Sequence, residues 1–445
     1  MDGWAVYVVG VMRVLQPNAY VTDVSYPCHF HRQLQPLWLK TQASFLGVES
    51  AKIEKGYRYC ELGCATGINL LVSAYCHPEA CFVGVDFNPQ HIDFAQKAAR
   101  ELGLKNVEFI CQDFAKFAAH AQPSFDVMVC HGVWSWVAFG VQQSLLTLAK
   151  ALLKEQGLLY VHYMSHPGSS HLVPLQKLIF SVAQNLSGDS STRLREALKT
   201  AKALAADGLI AVPHAREHLT ALSKLDSQYL AHDLLAEHFS VAHSVDMHAM
   251  LQQYGFYYLA SADPWHNSDA LSVPKAIHAV LARTEQPALR EQLKDHARHQ
   301  HQRQDLFQKA PKVLSREAHI RALLAMRFVR LKPLTPLVLS AIGPIELPPS
   351  MIAALDRRLA TGAAAVHALI EDPDLADHQG LLHALQLLMS HGFVHPCSAT
   401  SVDVSGINQW FSSVGIRLAV DPDCASATFH NNEAFSYAAS PSSMA

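Results

Sequence analysis

The sequence is short of charge, of paired cysteines and of any long apolar run, and each shortage excludes something. Charged residues make up 16% of the 445 and leave a formal net charge of −3, so no global field draws the chain to nucleic acid or to an anionic membrane. None of the nine cysteines forms a Cys-x-x-Cys pair, and Cys60, Cys81, Cys111 and Cys130 lie on apolar runs. That pattern reads as reduced, buried thiols in a cytoplasmic protein and not as a disulfide framework. The apolar stretch from Trp4 to Val11 follows the acidic Asp2, is too short to span a bilayer and lacks a small-residue cleavage site. It reads as a ragged extension, with Met1 and Met12 as rival starts, and the tail from Ala438 to Ala445 reads as disordered. Internal repeats are absent. Histidine is abundant instead: 27 residues, expected to titrate just below neutral pH and to swing the net charge positive in mild acid.

From Tyr57 to Met164 short apolar runs alternate with helical patterns. The runs are Tyr57–Leu62, Cys81–Asp86, Val107–Cys111, Phe125–Cys130 and Leu158–Met164; the helices between them are Ile68–Cys76, Gln90–Leu102 and Val141–Leu153. This alternation predicts an α/β fold, a doubly wound Rossmann-like parallel sheet with its ligand at the carboxyl ends of the strands. The chain is expected to divide into a cofactor domain over 1–165, a helical insertion over 166–265 and a C-terminal domain over 280–420. Leu175, Leu178, Ile179 and Val182, and then Leu219, Leu222 and Leu225, have helical spacing. Gly255–Ala260 reads as a late strand returning to the sheet. A basic helical connector is expected from Ala282 to Lys332. Beyond it, helices over Pro349–Leu359, Ala363–Ile370 and His378–His391, then Phe393 and Val394, suggest a mainly helical, winged-helix-like module. No Lys or Arg lies between Arg358 and Arg417, so that module has nothing to neutralise phosphates; protein docking or homodimer formation is its expected role.

The strongest local signal is Glu61-Leu62-Gly63-Cys64-Ala65-Thr66-Gly67-Ile68-Asn69, which follows a strand and opens a helix. Glycines at such a turn let backbone approach a ligand closely, although glycine spacing alone also fits dinucleotide enzymes. The acidic Glu61 would repel a pyrophosphate and welcome a cationic amino group. Asp86 ends the second strand, where a carboxylate can accept from both ribose hydroxyls. After the third strand Asp113 can accept from an adenine amino group while Phe114 covers the ring. After the fourth comes His131-Gly132-Val133-Trp134-Ser135-Trp136. Taken in order, at the strand ends, these residues point to S-adenosylmethionine and against a plain Rossmann-like turn.

These stretches resemble the class I S-adenosylmethionine-dependent methyltransferases, and more narrowly the family carrying a methyltransferase regulatory domain, which includes bacterial protein-lysine methyltransferases. The likeness rests on Tyr26-Pro27-Cys28-His29-Phe30 with Gln35-Pro36, the loop from Glu61, the His131 stretch, and Tyr229–Leu235 with Gly255–Leu259. It implies a cofactor set of Tyr26, Glu61, Gly63, Cys64, Ala65, Gly67, Asn69, Asp86, Phe87, Gln112, Asp113, Phe114, His131 and Gly132. His131, Trp134 and Trp136 are the expected catalytic-side residues, the tryptophans as walls of an acceptor channel. Ala65 departs from the usual middle glycine, and no Asn-Pro-Pro-aromatic run follows the fourth strand, which argues against the usual amino-group methylation of adenine or glutamine. The acceptor is expected to be a protein, through a lysine, with a small molecule as the second enzyme reading and a non-catalytic, cofactor-binding regulator as the third; neither nucleic acid nor membrane is an expected partner. No metal is expected. His214-Ala215-Arg216-Glu217-His218 matches a zinc-protease pattern but lacks a third acidic ligand, and His296, His299 and His301 read as a surface helix.

Overall fold

The computed structural model describes residues 20–50, 56–120, 125–340, 342–399, 401–422 and 427–429. The N-terminal stretch to Val11, the Met12 start and the tail lie outside them. Packing divides the chain into two units, one of Pro174–Phe239 with the described residues up to Val24, the other of Ser25–Val173 with the described residues from Ser240 on.

The second unit holds a seven-stranded sheet in the order β3-β2-β1-β4-β5-β7-β6. Its strands are β1 (Arg58–Leu62), β2 (Cys81–Asp86), β3 (Val107–Cys111), β4 (Phe125–Cys130), β5 (Leu153–Met164), β6 (Phe256–Ser261) and β7 (Gln302–Lys309). The first five run parallel, and β7 lies antiparallel between β5 and β6. Side chains alternate between faces as strand geometry requires. Tyr59, Phe82, Val127 and Leu158 enter one core with Trp38 and Leu39 of α1 (Pro36–Leu46), α2 (Ile68–Cys76) and α3 (Pro89–Glu101). Their neighbours Cys60, Val83, Met128 and Leu159 enter a second core with Phe117 of α4 (Phe114–His120) and Leu145 of α5 (Phe139–Leu152).

The other unit is helical. It contains α7 (Ser190–Ala206), α8 (Ala215–Leu222) and α9 (Ser227–Leu234), preceded in the chain by α6 (Leu172–Ala183). Asp23 accepts from the Ser190 backbone N–H at 2.8 Å and from its hydroxyl at 2.6 Å, and Asp226 caps α9. His214 stands ahead of α8 with φ 53°, so it and His218 are not two positions of one helical face.

The late strand forms as β6, preceded by α10 (Ser244–Gln253), and both belong to the sheet unit and not to the helical one. The connector reading needs correction. After α11 (Asp269–Ser272), α12 (Lys275–Arg283) and α13 (Pro287–Ala297), the chain enters β7, then α14 (Arg316–Ala325) and β8 (Arg327–Arg330). Its basic residues are not one solvated face: Arg283, Lys312, Arg316 and Arg321 are exposed, but Arg298 and Arg303 have side chains 2% and 1% exposed, ion-paired to Asp295. His299 and His301 lie past the end of α13, with ring centroids 5.1 Å apart.

The last region pairs β9 (Leu337–Ser340) with β10 (Gly343–Glu346), and β8 with β11 (Ala364–Ala365) and β12 (Val394–Pro396). Around them lie α15 (Pro349–Leu359), α16 (Val366–Leu369), α17 (His378–Ser390) and α18 (Ser405–Ser413). Leu355, Leu385 and Phe411 share the core of α1–α3, so this region is an extension of the sheet unit's interior. The Trp410 indole fastens it by donating to Glu101 at 2.8 Å.

Candidate functional site

The loop between β1 and α2 turns on backbone conformations that few residues accept. Gly63 has φ 78°, and a Cβ there would collide with Val133. Gly67 has φ 73° at the helix entrance, and a Cβ there would meet Phe109. Both positions need glycine for conformation and for space. Ala65 is left-handed as well, with φ 45°. A side chain tolerates this at a cost of about 1 kcal/mol, and a specific bond offsets the strain: the Ala65 N–H donates to Asp86 Oδ2 at 2.9 Å. The other Asp86 oxygen accepts from the Asn88 N–H at 2.8 Å. One buried carboxylate thus joins the cofactor loop to the end of β2, and each oxygen keeps a lone pair for a further donor.

Glu61, 7% exposed, is the counterpart on β1. Its Oε2 is buried with no hydrogen-bond partner. Burial first, then the nearby Asp86, pushes its pKa up to about 8. An orphaned carboxylate oxygen is costly, and it is the atom a cationic amino group would satisfy. Cys64 is buried and burial drives its pKa far up, so it fills space beneath the loop as an inert thiol.

The segment ahead of the sheet is strapped to this loop. Asn69 donates from Nδ2 to the His31 carbonyl at 2.8 Å and accepts from the His31 N–H at 3.1 Å. Its amide is spent on backbone, so its place in the site is that of a clasp. Thr66 Oγ1 donates to Cys28 Sγ at 3.8 Å. Tyr26, in the same segment, has its ring 5.8 Å from that of His29.

The remaining expected residues are spread around the strand ends. The Gln112 N–H donates to the Asp86 carbonyl at 3.0 Å. The Phe87 carbonyl accepts from Cys111 Sγ at 3.6 Å. Asp113 accepts from the Lys116 N–H at 2.8 Å at the start of α4 and pairs with its ammonium at 3.2 Å; the Lys116 backbone bond leads in lowering its pKa. Phe114 is half-buried as the first residue of α4.

On the other side of the loop β4 lies in register with β1, Leu62 opposite Cys130, which sets His131 beside Gly63. His131 Nδ1 is 2.8 Å from the Tyr160 hydroxyl. Gly132, with φ 66°, donates its N–H to His162 Nδ1 at 3.2 Å, and His162 Nε2 lies 3.1 Å from Gln302 Oε1. A ring that accepts at one nitrogen and donates from the other is a neutral imidazole. Burial holds His162 down to about 4 and His31 to about 3. Burial, then His31, His162 and His29, keeps His131 well below the usual value. The expectation that the histidines titrate near neutral pH therefore fails here, and at His395 and His77, held by burial at about 3 and about 4.

Trp136 faces this group, its ring stacked 6.2 Å from His162. Trp134 does not: it packs into the core with Leu145 and Leu146, and its carbonyl accepts from Gln142 at 2.8 Å. His31, Tyr160, His162 and Gln302 were missed in the sequence. A single polar residue inside the apolar run Leu158–Met164 was the available signal for His162. Among the described residues no group of three or more His, Cys, Asp or Glu could hold a metal ion, and no helix is long and apolar enough to cross a membrane.

Residues 53–202 match the family described as a methyltransferase domain, and residues 226–309 match a predicted methyltransferase regulatory domain. An uncharacterized protein of Synechocystis sp. is 27% identical over 387 residues, 85% of this chain and 76% of that one. An uncharacterized protein of Rickettsia prowazekii is 31% identical over 243 residues, 51% of this chain and 41% of its own length. The fold is similar to that of PKMT2 from Rickettsia typhi, with a TM-score of 0.65 and 20% identity over 87% of this chain and 82% of that one. The same protein in complex with AdoHcy gives a TM-score of 0.64 at 20% identity, covering 84% of this chain and 78% of that one. The chain is an S-adenosylmethionine-dependent methyltransferase with a methyltransferase regulatory domain.

Proposed function

We propose that the chain methylates a protein, on the side-chain amine of a lysine, and that the cofactor lies across the ends of β1, β2 and β4. Glu61 receives its amino group and Asp86 its ribose hydroxyls. Gly63, Ala65 and Gly67 shape the loop beneath it, Asp113 and Phe114 bound the adenine end, and Gly132 aims the turn past the sulfur. The sulfonium supplies an already activated methyl group, so the chain's own work is alignment and exclusion of water.

The observation that carries the acceptor class is the uncharged group of rings beside Gly63: His131, His162, Tyr160 and Trp136, with His31 from the strap. An amine reacts only when neutral, and a surface of neutral rings provides no counter-charge to stabilise its protonated form. The stem of a lysine can lie along Trp136, whose face also tolerates a cation on approach. The likeness in fold over most of both chains to PKMT2 from Rickettsia typhi accords with this reading. Incubating the full chain with lysate and methyl-tritiated S-adenosylmethionine tests this reading. Label should enter the protein fraction and appear as methyl-lysine after acid hydrolysis. Label confined to low-mass material overturns the protein acceptor, and label on another residue overturns lysine.

A further inference from the structure

The rings at the end of β4 form a continuous run. Consecutive centroids lie 6.1 Å apart for His29 and His31, 4.0 Å for His31 and His131, 4.4 Å for His131 and His162, and 6.2 Å for His162 and Trp136. His131 and His162 are stacked with an interplanar angle of 20°. The run joins three separate parts of the chain: the strap before α1, the turn after β4, and the carboxyl end of β5. The two neighbours of His131 are themselves immobilised. His31 is held at both backbone atoms by Asn69, and His162 is fixed by the Gly132 N–H and the Gln302 side chain.

We propose, on the reading that the acceptor is an amine, that His131 serves as a hydrogen-bond acceptor that orients an already neutral amine, with His31 and His162 as positioning residues that keep its ring in place and uncharged. In the tautomer whose Nδ1–H donates to the Tyr160 oxygen, Nε2 keeps a lone pair. One N–H of the incoming amine donates to that Nε2, which turns the nitrogen lone pair toward the methyl group. No proton changes hands at His131 in this scheme; the amine loses its proton to water before it docks.

Chemistry decides between this role and that of a general base. An alkylammonium ordinarily ionises near 10.4 and an imidazole near 6.5, so the transfer is uphill by roughly four powers of ten even for an unperturbed ring. His131 is a weaker base still, because burial and three neighbouring rings oppose its cation. The surrounding groups leave this unchanged. His29 and His31 from the strap and His162 from β5 oppose a positive charge. Asp305 from β7, Cys130 from β4, Asp263 after β6 and Glu61 from β1 face Tyr160. Among them Cys130 stays a thiol, its pKa raised by burial to about 12.

The test uses the full chain, tritiated S-adenosylmethionine held saturating at every pH and the lysate protein fraction, with kcat/KM for that fraction followed from pH 6 to 10. The proposal predicts a rise of tenfold per pH unit with no inflection between 6 and 8. His131→Ala should lower kcat about 100-fold with the KM for S-adenosylmethionine within about twofold. His131→Gln, whose amide oxygen replaces Nε2, should recover most of that loss without changing the pH profile. His162→Ala should cost about tenfold in kcat, and His162→Asn, which keeps an acceptor for the Gly132 N–H, should restore it. A wild-type inflection between pH 6 and 8 that vanishes in His131→Gln makes His131 a base and overturns the proposal, as does full activity in His131→Ala. Imidazole ¹⁵N shifts need no acceptor: cationic His131 or His162 at pH 7 overturns the proposal whichever molecule is methylated, whereas neutral rings beside labelled low-mass material defeat only the protein acceptor.

Discussion

Near the edge of the sheet Arg303 of β7 gives its donors to Asp305 at 2.9 Å, Asp295 at 2.6 Å, Glu291 at 2.9 Å and the Tyr258 hydroxyl at 3.1 Å. Asp305 in turn accepts from the Tyr163 hydroxyl at 2.7 Å. At the ends of β1 and β2, Glu61 and Asp86 are also buried; among the described residues neither pairs with a lysine or arginine, His91 Nδ1 lies 3.8 Å from Asp86, and one Glu61 oxygen has no hydrogen-bond partner. The same fold therefore buries charge in two ways. Near the edge each charge has an ion-pair partner inside the protein, although Asp295 Oδ2 and Arg298 Nε and Nη1 make no hydrogen bond, and the network holds β5, β6, β7 and α13 together. At the strand ends the carboxylates have no paired cation of their own, an arrangement a cationic ligand would complete.

That contrast can be broken by substitution. Removing one member of the closed network strands buried charges, so Arg303→Ala should destabilise the chain by about 3–5 kcal/mol, seen in urea unfolding. The cofactor affinity of the molecules that remain folded should stay within about twofold of wild type; a selective loss of affinity would mean the edge network is part of the site. Asp86→Ala should reverse the pattern. It removes the acceptor of two backbone N–H groups and of the ribose, and calorimetry should record an affinity loss of about 100-fold or more. Unchanged affinity refutes the assignment.

Glu61 sharpens the comparison through pH. Its folded-state pKa is raised, so the free chain holds a proton there from 4.5 to about 8, and in that window its burial costs stability as pH rises. A cationic amino group expels the proton. Affinity for S-adenosylmethionine should thus climb from pH 6 toward 8 and fall again above it, where the ligand's own amino group loses its charge. Glu61→Gln should weaken binding about tenfold at pH 8 and flatten the climb. A climb that survives the substitution assigns the proton elsewhere. The smallest effect belongs to Ala65→Gly, which relieves a left-handed side chain and should stabilise the chain by at most about 1 kcal/mol, with the Ala65 N–H still bound to Asp86.

The legible and illegible parts of the sequence divide along the same line. The strands from Arg58 to Cys130 were readable because both faces of a parallel sheet are apolar, and α2 and α15 ended where their patterns did. The acidic residues at the strand ends were readable because a carboxylate has little reason to close an apolar run unless something meets it there. β7 was hidden. Its inward positions include Arg303 and Asp305, so the alternation that marks a strand was written in charges that cancel only after α13 has folded against them. The histidines were misread for the converse reason: composition reports their number, whereas burial sets their ionisation.

The position of β7 also bears on synthesis. It fills the gap between β5 and β6, yet it leaves the ribosome after both. Until residue 309 has emerged, β5 exposes a bare hydrogen-bonding edge and β6 has no strand to pair with. Non-local pairings of this kind close slowly, and an open strand edge recruits other chains. The nascent protein is thus most prone to aggregation during one interval, between completion of β5 and insertion of β7, and a chain stopped at residue 300 should precipitate where the full chain stays in solution.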